Sequence, residues 1–408
     1  MQNWEKVVSQ GFENRNNICV WSMAKYKDYL YVGTMNFIDG CQVYRSKSGD
    51  KKSWKQVNLN GFGEKGSTGA RNMIVYNNLL WVVTFSPKIG VQVWVTNGEN
   101  SEKSGLNTWK KANLNGFGKG DNTFASRAMM VFKNRLFIGT QVKKGFPQIF
   151  RYDGQIDFDK IEPENWTWIN KDYQNNMKNI PDFSVIGKMI NFKTQDGKEY
   201  IYTGVYPEIA AKLVSLNRLL NPVVLMKVIQ FFTLLRCNIY RYDGNNWEII
   251  GKPGFGKFNV MAMSSVVFNS NIYFGTTNIF GSEIWKSKDG NNWIRIMKKG
   301  FNNPMNISVY RLHTFKNRLI VGMQNQWMGC QIWASKKENP LKNSDFVQIS
   351  RNGMSNLRNI NPLKLKQDGI RFFETFKGQL YAGTASNINI FKENTNGPGC
   401  EIWRISHL

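Results

Sequence analysis

The chain holds 408 residues, with 54 Lys and Arg against 29 Asp and Glu and a formal net charge of +25. At 41% hydrophobic and 20% charged residues it carries enough apolar material for a large core and too much for a disordered tail. With 36 Gly, 14 Trp, 15 Tyr and 27 Phe, the composition excludes a membrane channel, a collagen and a disulfide-dense miniprotein, and favours many short strands joined by tight turns.

The first residues, MQNWEKVV, lack the basic start and continuous apolar core of a secretory signal. No stretch reaches the roughly 18 apolar residues of a transmembrane helix. The expectation is a cytoplasmic protein, with peripheral membrane association left open. Segment 3–12, NWEKVVSQGF, reads as a strand followed by a Gly-Phe turn. KDYLYVGT (27–34) then opens a phrase that returns as NNLLWVVT (77–84), KNRLFIGT (133–140), YIYTGVYP (200–207), NSNIYFGT (269–276), KNRLIVGM (316–323) and KGQLYAGT (377–384). A short apolar segment such as RNMIVY or RAMMVF precedes it. After it come Gly, two residues and an apolar-aromatic pair, as in GCQVYRS or GSEIWKS, and then a turn and a fourth segment such as SWKQV or NWEII. Gly-Phe-Gly turns follow at 61–63, 116–118 and 254–256.

Four short strands recurring roughly every 40–60 residues form the pattern of a propeller blade, since one such sheet cannot cover both of its faces. Anchored on Gly33, Val83, Gly139, Gly204, Gly275, Gly322 and Gly383, the units number seven. The chain stops after CEIWRI (400–405) without a fourth strand and begins with one, so its start is expected to complete the last blade and remove an open edge. The prediction is an all-β, seven-bladed propeller forming a single domain over 1–408, in place of two or three unrelated β domains.

Blade four departs from the template. Between YIYTGVYP and CNIYRYDG (237–244) stands the glycine-free segment 208–236, predicted as a helical insertion broken at Asn221-Pro222. Leu213, Leu216 and Leu220 fall on one helical face. Val224, Leu225, Val228, Ile229, Phe231, Phe232 and Leu235 surround a thin polar stripe in the second half. That surface must be covered. Its cover is the propeller itself, a protein partner or second copy, or an anionic membrane surface lying in plane with the helix.

Cys41, Cys237, Cys330 and Cys400 hold one equivalent place in the repeat, too far apart for disulfides, and with Cys19 are read as reduced, half-buried strand residues. Without a C-x-x-C pair, and with only two histidines, no zinc site, other metal site or cofactor is predicted.

The phrases NxLYVGTxN, GCEIWRS and DGxxW resemble those of a largely uncharacterised set of prokaryotic β-propeller repeat proteins, and the likeness runs along nearly the whole chain. SKDGNNW (287–293) and RYDGNNW (241–247) are more distantly similar to the Asp-boxes of sialidase-type propellers, one residue short. That resemblance implies a structural hairpin between third and fourth strands, not an activity.

Aligning the first strands on the aromatic that ends each one places Arg71, Arg127 and Arg371 at one position, with Arg311 offset by one. Asn36, Asn278, Asn325 and Asn387 fall just after the second strand, towards the same face. A ring of guanidinium and amide groups at an axial mouth suits an anionic small molecule or glycan, although arginines between blades also pair with carbonyls. The scattered lysines match a coding bias as well as a polyanionic partner, and no signature of sequence-specific nucleic-acid binding is present. A sialidase-like enzyme would draw on Arg71, Arg127, Arg371, Tyr310 and Glu374, but lacks a second defended carboxylate. His313 reads as a core imidazole, and His407 adjoins the chain end. The function expected is therefore a non-catalytic binding or scaffolding platform, with a carbohydrate-active enzyme as the alternative.

Overall fold

The computed structural model describes residues 3–101, 105–172, 184–207, 235–354, 367–386 and 397–408. Antiparallel pairing sorts their strands into four-stranded meanders over 19–56, 69–111, 123–168, 184–250, 261–297 and 308–350. A last meander over 367–405 takes its fourth strand, Glu5–Val8, from the start of the chain, with Glu5 opposite Arg404 and Lys6 opposite Trp403. First strands touch their neighbours in a closed cycle, Cys19–Tyr26 meeting both Gly69–Tyr76 and Gln367–Phe376. The fold is all-β, its helical content among the described residues confined to single turns.

Local sequence explains the hairpins. Asn77-Asn78, Lys133-Asn134, Asn269-Ser270 and Lys316-Asn317 join first to second strands with both residues at φ of 45–57°. Such two-residue turns match the right-handed twist of the strands, and Asn tolerates the left-handed conformation. The two Asp-box-like segments form third-to-fourth-strand turns: Asp243 Oδ1 accepts from Asn245 and Asn246 N–H at 2.7 and 2.8 Å, and Asp289 Oδ1 from Asn291 and Asn292 N–H at 2.8 Å each.

Neighbouring sheets are locked by the Gly-Phe turns. Gly61 N–H donates to Cys41 O at 2.8 Å, and its backbone lies so close to Gly40 that a Cβ on Gly40 would stand 2.8 Å from Gly61 N. Phe62, held at φ 58°, then stacks on Trp94 of the next sheet with centroids 5.0 Å apart and planes 8° from parallel. The arrangement recurs for Phe12 on Tyr44, Phe117 on Phe150, Phe255 on Trp285 and Phe301 on Trp333. A polar belt runs beside it: Asn17 Nδ2 donates to Gln42 Oε1 at 2.6 Å, Ser67 Oγ to Gln92 Oε1 at 2.7 Å, and Asn306 Nδ2 to Gln331 Oε1 at 3.0 Å. Each pair ties the connection entering a sheet to the start of that sheet's third strand, leaving few buried polar groups unpaired.

All five cysteines are free and fully buried, not half-buried, and burial pushes the Cys19 and Cys237 thiols up to about 12. The predicted helical insertion falls on 208–236, of which 208–234 lie outside the described residues. Leu235 is in the core against Val185, Tyr206, Cys237 and Val260. It was expected at a partner surface; the sheet that resumes at Asn238 draws it inward instead.

Phe62→Ala removes a buried ring from the lock between two sheets. The expected cost is about 3 kcal/mol, read as a lower urea midpoint with an unchanged slope.

Candidate functional site

Every first strand carries an irregularity at one level. Pairing with the second strand slips between Val20 and Ser22, Ala70 and Asn72, Ser126 and Ala128, Ile186 and Met189, Ala262 and Ser264, Val309 and Arg311, and Ile370 and Phe372. The residues left over are Trp21, Arg71, Arg127, Gly187 with Lys188, Met263, Tyr310 and Arg371. A bulge bends its strand and re-aims the extra side chain. Here the extra side chains from non-adjacent sheets meet, which in a closed ring happens only at the axis.

The Arg371 guanidinium lies 3.8 Å from the Tyr310 ring centroid, and its Nη2 is 3.9 Å from Asp368 Oδ1, with guanidinium and carboxylate both buried. Arg71 packs 4.9 Å from Trp21 and 5.3 Å from Phe85, and Nη1 donates to Gln141 Oε1 at 2.8 Å. Arg127 Nη1 reaches Met263 Sδ, two sheets away, at 4.0 Å. Gly187 is required in its bulge, because a Cβ would stand 2.8 Å from Gly204 O and 2.9 Å from the Tyr206 ring. Burial alone would raise the Tyr310 phenol, but Arg371, Arg127 and Arg71 outweigh it and lower it. Burial works against the charge on Arg371, yet Tyr310 and Asp368 hold it in its cationic form.

A second charged level contains Lys188, Arg311, His313 and Glu374, with the exposed Lys25 in electrostatic reach. Arg311 stacks 3.6 Å from the Phe372 centroid, and burial lowers it to about 10. Burial also raises Glu374, whose Oε1 accepts from Thr375 N–H at 3.0 Å. His313 Nε2 lies 2.9 Å from Thr375 Oγ1. Burial, joined by Arg311 and Lys188, brings its pKa down to about 3, so the ring is neutral at ordinary pH.

The structure thus brings Arg71, Arg127 and Arg371 together and puts Arg311 at the other level, as its offset of one residue implies. Glu374 shares that other level, and the carboxylate beside Arg371 is Asp368. Asn36, Asn278 and Asn325 are buried and committed. Their Nδ2 groups donate to Asn17, Asn259 and Asn306 Oδ1 at 3.1, 3.1 and 2.9 Å, and their Oδ1 atoms accept from loop N–H groups such as those of Asp39, Phe280 and Met328. Asn387 lies outside the described residues. Sequence reading passed over Asp368, Lys188 and Trp21, although the alignment that found the arginines places Trp21 at their position and Lys188 one residue after it. Among the described residues no three His, Cys, Asp or Glu side chains are grouped to hold a metal ion, and no helix is long and apolar enough to cross a membrane.

No protein-family model matches the chain, and no curated protein matches it in sequence. Solved structures resemble it in fold. The polysaccharide lyase Uly1 overlaps 95% of this chain and 89% of its own at 9% identity, with a TM-score of 0.51. Sqt1 of Saccharomyces cerevisiae overlaps 100% of both chains at 11% identity, with a TM-score of 0.50. The GH93 α-L-arabinofuranosidase of Fusarium graminearum covers 79% of this chain and 93% of its own at 11% identity, with a TM-score of 0.43. At these identities the likeness shows a propeller-like all-β fold and nothing about activity.

The neutral His313 has a measurable consequence. Its ring in the unfolded chain protonates near the usual 6.5 but in the folded chain only near 3, so its contribution to stability is complete above 6.5 and declines as pH falls towards 3. The imidazole carbon resonances should show no titration between pH 5 and 8, and His313→Gln should flatten the loss of stability across that acid range.

Proposed function

We propose that the four-stranded meanders are the blades of a seven-bladed β-propeller whose axial arginine level binds a carboxylate-bearing ligand, with an acidic saccharide as the class that fits best. The observation that carries this reading is the convergence of Arg71, Arg127 and Arg371 on one half-buried phenol, Tyr310. Guanidinium forks match carboxylate geometry, and in a site shielded from water each charge-assisted hydrogen bond is stronger than at the surface. Trp21 and Phe85, already in contact with Arg71, supply flat apolar faces beside the charge, a pairing of aromatic walls with a few placed polar groups that suits a small-molecule site. The net charge of +25 would favour encounter with anions at low salt.

Catalysis is the second reading, a carbohydrate-active enzyme. It is favoured by the lowered phenol of Tyr310 together with Asp368, a buried carboxylate near it across Arg371. The apolar sequence 208–236 retains the expectation of a protein or membrane contact. Deleting 208–234, which spares the core residue Leu235, should leave a folded ring that no longer floats with anionic liposomes or self-associates, and an unfolded product would favour packing on the ring itself.

Glucuronate- and sialate-containing oligosaccharides, titrated beside neutral counterparts of the same length, test the axial site. Selective binding of the acidic set is expected, falling roughly tenfold or more in Arg371→Met and in Arg71→Met. Equal binding of neutral and acidic sugars would remove the proposal. Turnover of an acidic oligosaccharide that disappears in Tyr310→Phe while binding persists would instead establish the enzyme reading.

A further inference from the structure

We propose that Lys188 and Arg311 form a second anion site, separate from the arginine level, that takes a tetrahedral oxyanion such as inorganic phosphate or the phosphate or sulfate group of a ligand. Both residues come from the bulged stretch of a first strand, Ser184–Lys193 and Ser308–Phe315, in sheets that are not neighbours. Both hold the register position one residue past that of the arginines, which sets them at one level of the ring, and Arg311 is in electrostatic range of Lys188. Both are half-buried.

Neither cation makes an ion pair or hydrogen bond with any described residue, and Arg311 Nε is buried without an acceptor. Glu374 is the carboxylate of this level, but it lies beyond ion-pair distance of both and its Oε1 is engaged by Thr375 N–H. Stacking on Phe372 at 3.6 Å occupies the face of the Arg311 guanidinium. Its in-plane N–H donors remain available, and those edges are what grip an oxyanion. Lys188 adds a compact point charge from across the ring. Two like charges held near each other away from bulk water are costly, and an anion between them offsets both the repulsion and the lost hydration. Electrostatics agrees with that placement: burial lowers Lys188 well below its ordinary value and Arg311 lowers it further, with Glu374 opposing both only in part. His313, neutral and tied to Thr375, adds no competing charge.

The site stands independently of the carboxylate reading. Thermal unfolding in low-salt buffer should show a saturable rise in Tm with sodium phosphate that sodium chloride at matched ionic strength does not reproduce. Lys188→Met and Arg311→Met should each weaken that response roughly tenfold or more, while Arg371→Met, in the arginine level, leaves it intact. In phosphate-free buffer Lys188→Met should unfold at or above the wild-type temperature, because it relieves the burial cost and the repulsion from Arg311 that the distant Glu374 offsets only in part. A purely structural lysine would show the reverse. Should Arg311→Met not fold, Arg311→Lys keeps the charge, loses the fork and should still weaken phosphate. The proposal is overturned if the wild type gives no saturable response, if both Lys188→Met and Arg311→Met retain it, or if it vanishes in Arg371→Met alone, which would assign the effect to the arginine level.

Discussion

One constraint shapes the centre of this molecule: the first strand of every sheet carries a bulge at the same level. In a regular strand alternate side chains face opposite ways, and each inner strand would send only every second residue towards the axis. An extra residue breaks that alternation and turns another side chain inward. Arg71, Arg127, Tyr310 and Arg371 occupy that extra position. The adjoining residues Lys188 and Arg311 begin the second charged level. Without the bulge the same arginines would lie within the seams between sheets.

A concentration of positive charge at an axis needs a frame that does not relax around it. The Gly-Phe turns supply that frame from outside. Gly61 presses its backbone on Gly40 in the sheet it leaves, and Phe62 stacks on Trp94 in the sheet it enters. Repeated around the ring, the stacked rings and the belt of Asn, Ser and Thr bonded to Gln or Glu set the spacing between sheets independently of what lines the axis. Inner residues are then free to vary. At the bulge position the ring offers Arg, Trp, Tyr, Met and Gly, and Gly187 is used where Gly204 O, the Tyr206 ring and Ala262 O leave no room for a Cβ.

Two kinds of polar residue separate on physical grounds. Asn36, Asn278 and Asn325 are uncharged and fully hydrogen-bonded, so their burial costs little and their work is to hold loops. Lys188 and Arg311 are charged and half-buried, and Arg311 Nε is buried without an acceptor, which is expensive. The second pair therefore points to a ligand where the asparagines do not.

Periodicity was enough to lay out the strands, because a strand and its turn are local: KNRLFIGT states its Lys-Asn hairpin and its buried face within eight residues. The common register of Arg71, Arg127 and Arg371 was legible in the same way, from an alignment on the aromatic that ends each first strand. Local sequence could not decide which aligned side chains meet. Asn36 and Arg71 both pointed to a mouth, and only the closed ring shows the amide consumed by Asn17 and the guanidinium brought to Tyr310. Lys188 lay one residue past the aligned position, but its meaning rests on Arg311 and Glu374 from sheets distant in sequence, whereas Asp368 stands only three residues before Arg371 on the same strand. Leu235 marks the same boundary: its apolar side chain could cover a partner or enter a core, and its position beside Tyr206 and Val260 was decided by packing between sheets.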